Sequence, residues 1–360
     1  MRIGMYHNLG PGGALRAFDE YFKRLAKAHD VRHYVLPGGA LRTRNSLQGL
    51  KRYRDLAQEI DSHELDVVFV HPCSVFQAPP LLMYLRTPSL YYMQEPKRSS
   101  WERLIQAELL SGRPGRRVIQ AVERVLRRID LKSALSATTI AANSVFSIEA
   151  IVRIYGVDAT LCPLGVDTET FKPQPSSRRE KRLLSVGAVV PHKCHAFAVQ
   201  AASLVPPGTR PAVTIIAERG NSLTRQELEG LADDVGVCVE FRSNVSDDQL
   251  AKLYSTAQAT ICASRLEPFG LTAIESQSCG TPVVAVREGG FRETVVPGKT
   301  GYLVPRDPAS AAEAIMSLQR SPLPSEPIRL HAVENWSWDA ALPVVTALLE
   351  STCTTKLIDQ

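Results

Sequence analysis

The chain has 360 residues, 44% hydrophobic and 22% charged, with a net charge of +5. That length fits two domains of roughly 150–200 residues each. The composition excludes a disordered or fibrous chain, and so mild a charge excess does not demand nucleic acid.

The chain opens Met1-Arg2-Ile3-Gly4-Met5-Tyr6-His7, without the apolar core of a secretion signal. Ile3–Tyr6 reads as a first strand, followed by the turn Gly10-Pro11-Gly12-Gly13 and an amphipathic helix over Leu15–Ala28. Val31–Leu36, Asp66–Val70 and Ser89–Tyr92 read as further strands. Apolar runs without period-two alternation suit strands buried on both faces of a parallel sheet, with helices as crossovers. The least polar long stretch, Ser133–Val152, is interrupted by Asn143 and Glu149 and makes a poor membrane span. A polar, Pro-containing segment, 173–182, reads as a linker. The alternation then restarts. Strands are expected over Leu183–Val186, Ala212–Ala217, Val237–Phe241, Thr260–Cys262 and Pro282–Val286. Helices are expected over Phe197–Leu204, Asp247–Ala257 behind the N-cap Ser246, and Leu271–Cys279 closed by Gly280. A last helix covers Ala340–Glu350 behind Trp336-Ser337-Trp338. The architecture is α/β, two Rossmann-like doubly wound units in tandem.

Seven cysteines without any C-x-x-C pair or Cys/His cluster disfavour a disulfide framework and a structural zinc site. They favour a reducing, cytoplasmic setting. The positive charge is local. Segment 97–132 holds ten Lys and Arg against four Asp and Glu, a net +6 that leaves −1 for the rest. It reads as a solvated helical face, or as a peripheral contact with an anionic membrane aided by Trp101, Leu104 and Ile105. Nucleic acid ranks last, since no recognition motif accompanies the charge.

The densest chemistry lies in Ser264-Arg265-Leu266-Glu267-Pro268-Phe269-Gly270-Leu271-Thr272-Ala273-Ile274-Glu275, which joins a strand to a helix at a carboxyl sheet edge. A helix start there offers free N–H groups to a phosphate. Taken singly, Glu267 and Glu275 read as a solvated loop residue and a capping charge. With the Pro-Phe-Gly turn between them, they read as acceptors for sugar and ribose hydroxyls, Glu275 from the first helical turn. Gly298-Lys299-Thr300 is not a P-loop, because Glu293 stands where its first glycine belongs, and no D-x-D triplet occurs. Gly10–Gly13 is not a dinucleotide fingerprint, because Leu15 stands at its last glycine. His71, His192 and His195 read as packing or loop residues, with His192 of interest beside Lys193.

Glu267-Pro268-Phe269-Gly270-Leu271 with Glu275 resembles the E-x7-E motif of glycosyltransferase family 4. The likeness extends to Val186–Lys193, Gly289–Val295, Gly298–Val304, Asn143–Phe146, Pro163–Asp167 and Trp336–Trp338. It implies a GT-B fold, two Rossmann-like domains facing across a cleft. An acceptor-binding domain would span 1–172 and be completed by the helix 338–360. A nucleotide-sugar-binding domain would span 183–337. It implies a retaining, metal-independent hexosyltransferase with no cofactor. The donor would be a GDP- or UDP-linked sugar and the acceptor a glycan or a lipid-linked molecule, in cell-surface polysaccharide or glycoconjugate synthesis. Lys193, Glu275, Phe269, Gly270, Leu271, Thr272, His192, Gly12 and Gly13 would hold the donor. Glu267, Gln94 and Glu95 would stand at the reacting sugar. Two positions depart from the family pattern. Ala188 replaces a cation on the pyrophosphate, and Gln94 replaces a histidine. Glu95 reads equally as the ion-pair partner of Lys97 or Arg98. Three alternatives stay open: a non-catalytic nucleotide-sugar-binding subunit, a GT-B epimerase or phosphorylase, and, more distantly, a nicotinamide dehydrogenase.

Overall fold

The computed structural model describes residues 1–36, 46–97, 116–174, 179–218 and 220–355. The chain divides into two compact units, Met1–Pro163 with Ala341–Gln360, and Leu164–Ala340.

The first unit is built on a six-stranded sheet of order β2-β1-β3-β4-β5-β6, parallel throughout. The strands are β1 (Arg2–Asn8), β2 (Asp30–Tyr34), β3 (Val67–Cys73), β4 (Ser89–Tyr92), β5 (Thr139–Ala142) and β6 (Thr160–Leu161). Every residue of β3 and β4 is buried, as expected of central parallel strands flanked by helices. The helices are α1 (Gly13–Leu25), α2 (Ser46–Ser62), α3 (Arg116–Leu135) and α4 (Val145–Tyr155). Helix α1 buries Ala17, Phe18, Tyr21 and Leu25, one helical stripe, against the sheet. Helix α4 begins where Ser144 accepts the Ser147 N–H and stops at Gly156 in the left-handed region (φ 68°). The core on one side of the sheet gathers Tyr6, Tyr53, Ile60, Val68, Tyr91 and Ile151.

The second unit carries a parallel sheet of order β12-β11-β10-β7-β8-β9. Its strands are β7 (Arg182–Val186), β8 (Ala212–Ile216), β9 (Val239–Arg242), β10 (Ala259–Cys262), β11 (Val283–Val286) and β12 (Gly301–Val304). Read from the first strand of the unit, this is the 3-2-1-4-5-6 order of the Rossmann fold. Its helices are α5 (His195–Ser203), α6 (Ser222–Val235), α7 (Asp247–Thr256), α8 (Leu271–Ser278), α9 (Phe291–Thr294), α10 (Pro308–Arg320) and α11 (Ser325–Trp336). The expected cap of α7 is a full capping box between Ser246 and Gln249. Edge strand β9 is protected by charge: Glu240 pairs with Arg182 at 3.0 Å and with Arg242 at 2.7 Å. A final helix, α12 (Trp338–Thr355), begins in the second unit and continues in the first, where Thr352 Oγ1 donates to Thr139 Oγ1 at 3.1 Å.

The second unit starts earlier than composition suggests, so the expected boundary at 172 falls inside it. Val166 N–H donates to the Trp336 carbonyl at 2.7 Å, and Phe171 is buried. The expected linker 173–182 is also tied down at its end. Arg179 donates to the carbonyls of Ala257 and Gly280 and to the hydroxyls of Thr281 and Ser325. A charged side chain that looks like a solvated spacer thus caps two helix C-termini. Most of the basic segment, residues 98–115 with Trp101, Leu104 and Ile105, lies outside the described residues. No described helix is long and apolar enough to cross a membrane.

Candidate active site

Strand order in the second sheet reverses between β7 and β10, so the loops leaving these two strands diverge to opposite sides and open a crevice at their carboxyl ends. The β7 loop carries Gly187 to Lys193; the β10 loop carries Ala263 to Gly270. The two loops meet chemically. Lys193 Nζ lies 2.8 Å from Glu267 Oε2, a charge-assisted hydrogen bond between partly buried groups 74 residues apart. A second tie joins the loop backbones, Arg265 N–H to the His192 carbonyl at 2.9 Å.

Each loop is fixed from behind. Gly187 adopts φ 144°, and a Cβ there would meet the Lys193 stem at 3.5 Å, so the lysine lies over a bare backbone. His195 holds the middle of the loop. Its Nε2 donates to the Ala188 carbonyl at 3.0 Å and its Nδ1 lies 2.7 Å from the Ser185 hydroxyl. Since a carbonyl only accepts, Nε2 carries the proton, and burial holds the imidazole neutral by lowering its pKa. His195 is therefore a packing residue, as expected; its ring also anchors the carbonyl of Ala188.

The β10 loop is held by residues that the motif does not announce. Arg306 pairs bidentately with Glu288, at 2.6 and 2.9 Å, and donates to the carbonyls of Ala263 and Ser264. The Arg306 guanidinium keeps the Glu288 carboxyl below its ordinary range, and the Leu266 N–H adds to that effect. Leu266 sits in the left-handed region (φ 47°), a strained conformation for leucine, directly before Glu267. On the other side, Gly290 N–H donates to the Glu267 carbonyl at 2.7 Å. A Cβ at Gly290 would stand 2.6 Å from the backbone of Pro268 and Phe269. The sequence signals for this clamp are slight: an acid immediately before Gly289-Gly290 and an arginine just past β12.

Helix α8 starts at the crevice. Gly270, at φ 101°, is its N-cap and offers no side-chain acceptor, so the first-turn N–H groups of Leu271 and Thr272 point outward from the helix start. Phe269 is buried and packs edge-to-face on Trp336 at 5.6 Å. Thr272 Oγ1 lies 3.7 Å from Cys262 Sγ, whose thiol burial pushes up to about 12 and thereby keeps it neutral. Glu275 departs from expectation. It is the fifth residue of α8, on the second turn rather than the first, and it is 5% exposed. Tyr254 Oη donates to its Oε2 at 3.0 Å, and burial, followed by that carboxylate, raises the Tyr254 pKa well above its ordinary value. The carboxylate is thus oriented by a buried phenol from α7.

The other four expected residues lie in the first unit. Gly12, at φ 151°, precedes α1, and its carbonyl accepts the Arg16 N–H at 3.1 Å; Gly13 is the first residue of that helix. Gln94 and Glu95 follow β4. The Gln94 carbonyl accepts from Ser147 Oγ at 3.0 Å, and its buried Nε2 has no hydrogen-bond partner among the described residues. The Glu95 carbonyl accepts from Gln77 Nε2 at 2.9 Å. Lys97 donates to the Val75 carbonyl at 2.7 Å and lies 3.8 Å from Glu123. His71 is wholly buried among Phe18, Phe69 and Tyr92, as a packing histidine should be.

Residues 166–334, nearly the whole second unit, match the family model of glycosyl transferases group 1. A D-inositol 3-phosphate glycosyltransferase of Acidothermus cellulolyticus is 36% identical over 251 residues, 63% of this chain and 54% of the relative. The chain thus spans about half the length of the curated relatives it matches. In fold the likeness runs along almost the entire chain. Sucrose-phosphate synthase of Thermosynechococcus elongatus superposes with a TM-score of 0.75 at 19% identity, over 97% of this chain and 98% of that one. HepE of Anabaena, solved in complex with UDP and glucose, gives a TM-score of 0.75 at 18% identity, over 98% and 100%. The fold is GT-B, shared with these glycosyltransferase structures.

Proposed function

We propose that the chain is a retaining, metal-independent glycosyltransferase of family 4, moving a hexosyl unit from a nucleoside-diphosphate sugar to a hydroxyl acceptor. The observation that carries this reading is the 2.8 Å contact of Lys193 with Glu267 at the β7/β10 crevice, beside the start of α8. Before donor binds, the carboxylate neutralises the ammonium. A diphosphate arriving at the helix start competes for Lys193, since it carries more charge and finds N–H donors already aimed at it. Glu267 is then released to face the sugar. As the glycosidic bond to the diphosphate breaks, negative charge builds on the leaving phosphate, where Lys193 and the α8 dipole stabilise it. Positive charge builds on the sugar ring, where Glu267 stabilises it. The leaving phosphate itself takes the acceptor proton, so Gln94 need only donate a hydrogen bond. Glu275, held by Tyr254, accepts from the ribose hydroxyls. The first unit, Met1–Pro163 with Ala341–Gln360, takes the acceptor.

The relatives' names suggest which substrates to try first. Inositol 3-phosphate is the acceptor to test beside glycans and lipid-linked sugars, and UDP-glucose the donor to test beside GDP-sugars. The purified chain is incubated with each pair, and nucleoside diphosphate release, product mass and anomeric configuration are read, with and without EDTA. Transfer with retained configuration, indifferent to EDTA, supports the proposal. Inverted product or loss of turnover in EDTA overturns the mechanism. Donor binding without turnover on any acceptor assigns the chain to the nucleotide-sugar-binding subunit instead. In the same assay Glu275→Ala is expected to weaken donor binding about tenfold or more, the loss of a charged hydrogen bond.

A further inference from the structure

We propose that Lys97 is a positioning residue for transfer, holding the loop of Gln94 and Glu95 against the loop that follows β3. The proposal rests on the reading above that puts Gln94 and Glu95 at the reacting sugar. Lys97, three residues past Gln94, is buried and tied at both ends. Its Nζ donates to the Val75 carbonyl at 2.7 Å and lies 3.8 Å from Glu123 of α3. Its backbone N–H donates to the Tyr155 hydroxyl at the end of α4. That hydroxyl donates in turn to Asp130 Oδ2 at 2.7 Å, and Asp130 Oδ1 accepts the Ala78 N–H at 2.9 Å. One lysine thus reaches the β3 loop twice, directly at Val75 and through two side chains at Ala78. A further tie runs the other way, from Gln77 Nε2 to the Glu95 carbonyl at 2.9 Å. Gln77 sits in the left-handed region (φ 65°), and its backbone exchanges two hydrogen bonds of 2.8 Å with Cys73, which close the turn. Two features set this arrangement apart from ordinary packing. A buried ion pair stabilises little that a well-packed apolar side chain would not. And the clamped loop carries a buried donor, Gln94 Nε2, with no partner among the described residues, a group of the kind that a ligand completes.

Position and mere stability are separated by comparing transfer with binding. The full chain is made as K97M, which keeps the stem and removes the donor, as K97R, and as K97M/E123Q, which also removes the acid left behind. Each is followed by kcat on the donor and acceptor pair that the parent turns over, by UDP binding in calorimetry, and by amide hydrogen exchange. K97M is expected to lose about tenfold to a hundredfold in kcat, the scale of a misplaced group near the reacting atoms. UDP binding should stay within about twofold of the parent, because the diphosphate is held by the second unit. Exchange should quicken in peptides covering 73–78 and 93–97 and stay unchanged in β3 and β4. K97R, which can still donate to Val75, is expected to recover most of the kcat. K97M/E123Q should lose as much as K97M, and it carries the test if K97M melts early. Parental kcat in a folded K97M overturns the proposal, as does a loss of UDP binding in step with kcat. Recovery of parental kcat by K97M/E123Q also overturns it, since the damage then comes from an unpaired acid. A parent that transfers to no acceptor counts against the catalytic reading. The tie itself is then decided by exchange alone: faster exchange confined to the two loops sustains it, and unchanged exchange refutes it.

Discussion

The two sheets present the same topological feature with opposite chemistry. In the second unit, strand order reverses between β7 and β10, and the loops there bring Lys193 and Glu267 to 2.8 Å, with Arg306 and Glu288 close behind. In the first unit the order reverses between β1 and β3. There the strand ends bear His7 and His71, with Phe18 of α1 packed on both, 4.3 Å and 5.0 Å between ring centroids. Burial lowers both imidazole pKa values and so favours their neutral forms. Topology therefore fixes where a crevice opens, and the side chains on its loops decide whether it receives charge. The β7/β10 crevice suits a charged diphosphate. The β1/β3 edge is instead filled by ring packing, with Phe18 and His71 buried there.

That contrast can be broken at its strongest point first. Glu267→Ala should lower turnover by about 10²–10³-fold, the scale for losing one preorganised electrostatic group; a loss below tenfold in single-turnover kinetics would mean that charge at this crevice is not what drives transfer. Lys193→Ala should come next, raising the donor KM by tens-fold with partial rescue by Lys193→Arg, checked by product release at varied donor.

Titration sharpens the same contrast, because one carboxyl in each unit is shifted in opposite directions. Burial raises Asp130, in the first unit, from 3.8 to about 6. A folded-state value above the unfolded one contributes stability that is complete below pH 3.8 and disappears as pH climbs through about 6. Melting temperatures followed across that window should decline for the parent relative to Asp130→Asn, by several degrees. The smallest effect belongs to Glu288, whose carboxyl Arg306 depresses below its ordinary 4.5. Its contribution is present above pH 4.5 and fades as pH falls through the depressed value. Glu288→Gln should therefore melt about a degree or two below the parent at neutral pH, and the gap should close in acid. A gap that widens in acid would show that the loop clamp is not ionic.

Local signals in the sequence carried a good deal of this. Uninterrupted apolar runs foretold the central parallel strands, Ser246 foretold the start of α7, and Gly280 the end of α8, because each depends on neighbours within a few residues. The meeting of Lys193 and Glu267 was legible only through family likeness, since strand order brings together residues 74 apart. Tyr254 behind Glu275, Arg306 behind Ala263 and Arg179 across two helix ends left no local pattern, for the same reason. Placing Glu275 on the second turn of α8 required knowing that the helix begins only at Leu271, after the left-handed Gly270.

Gly289 and Gly298 share a left-handed backbone, φ 57° and 75°, but not the same freedom to vary. A side chain at 298 would meet nothing within 4 Å, whereas one at 289 would strike the main chain of Glu267. In a saturation library, asparagine and aspartate, which tolerate that backbone, should survive at 298, while 289 should return glycine alone. Mutational tolerance at two positions of similar torsion would then report directly on which loop abuts the backbone of Glu267.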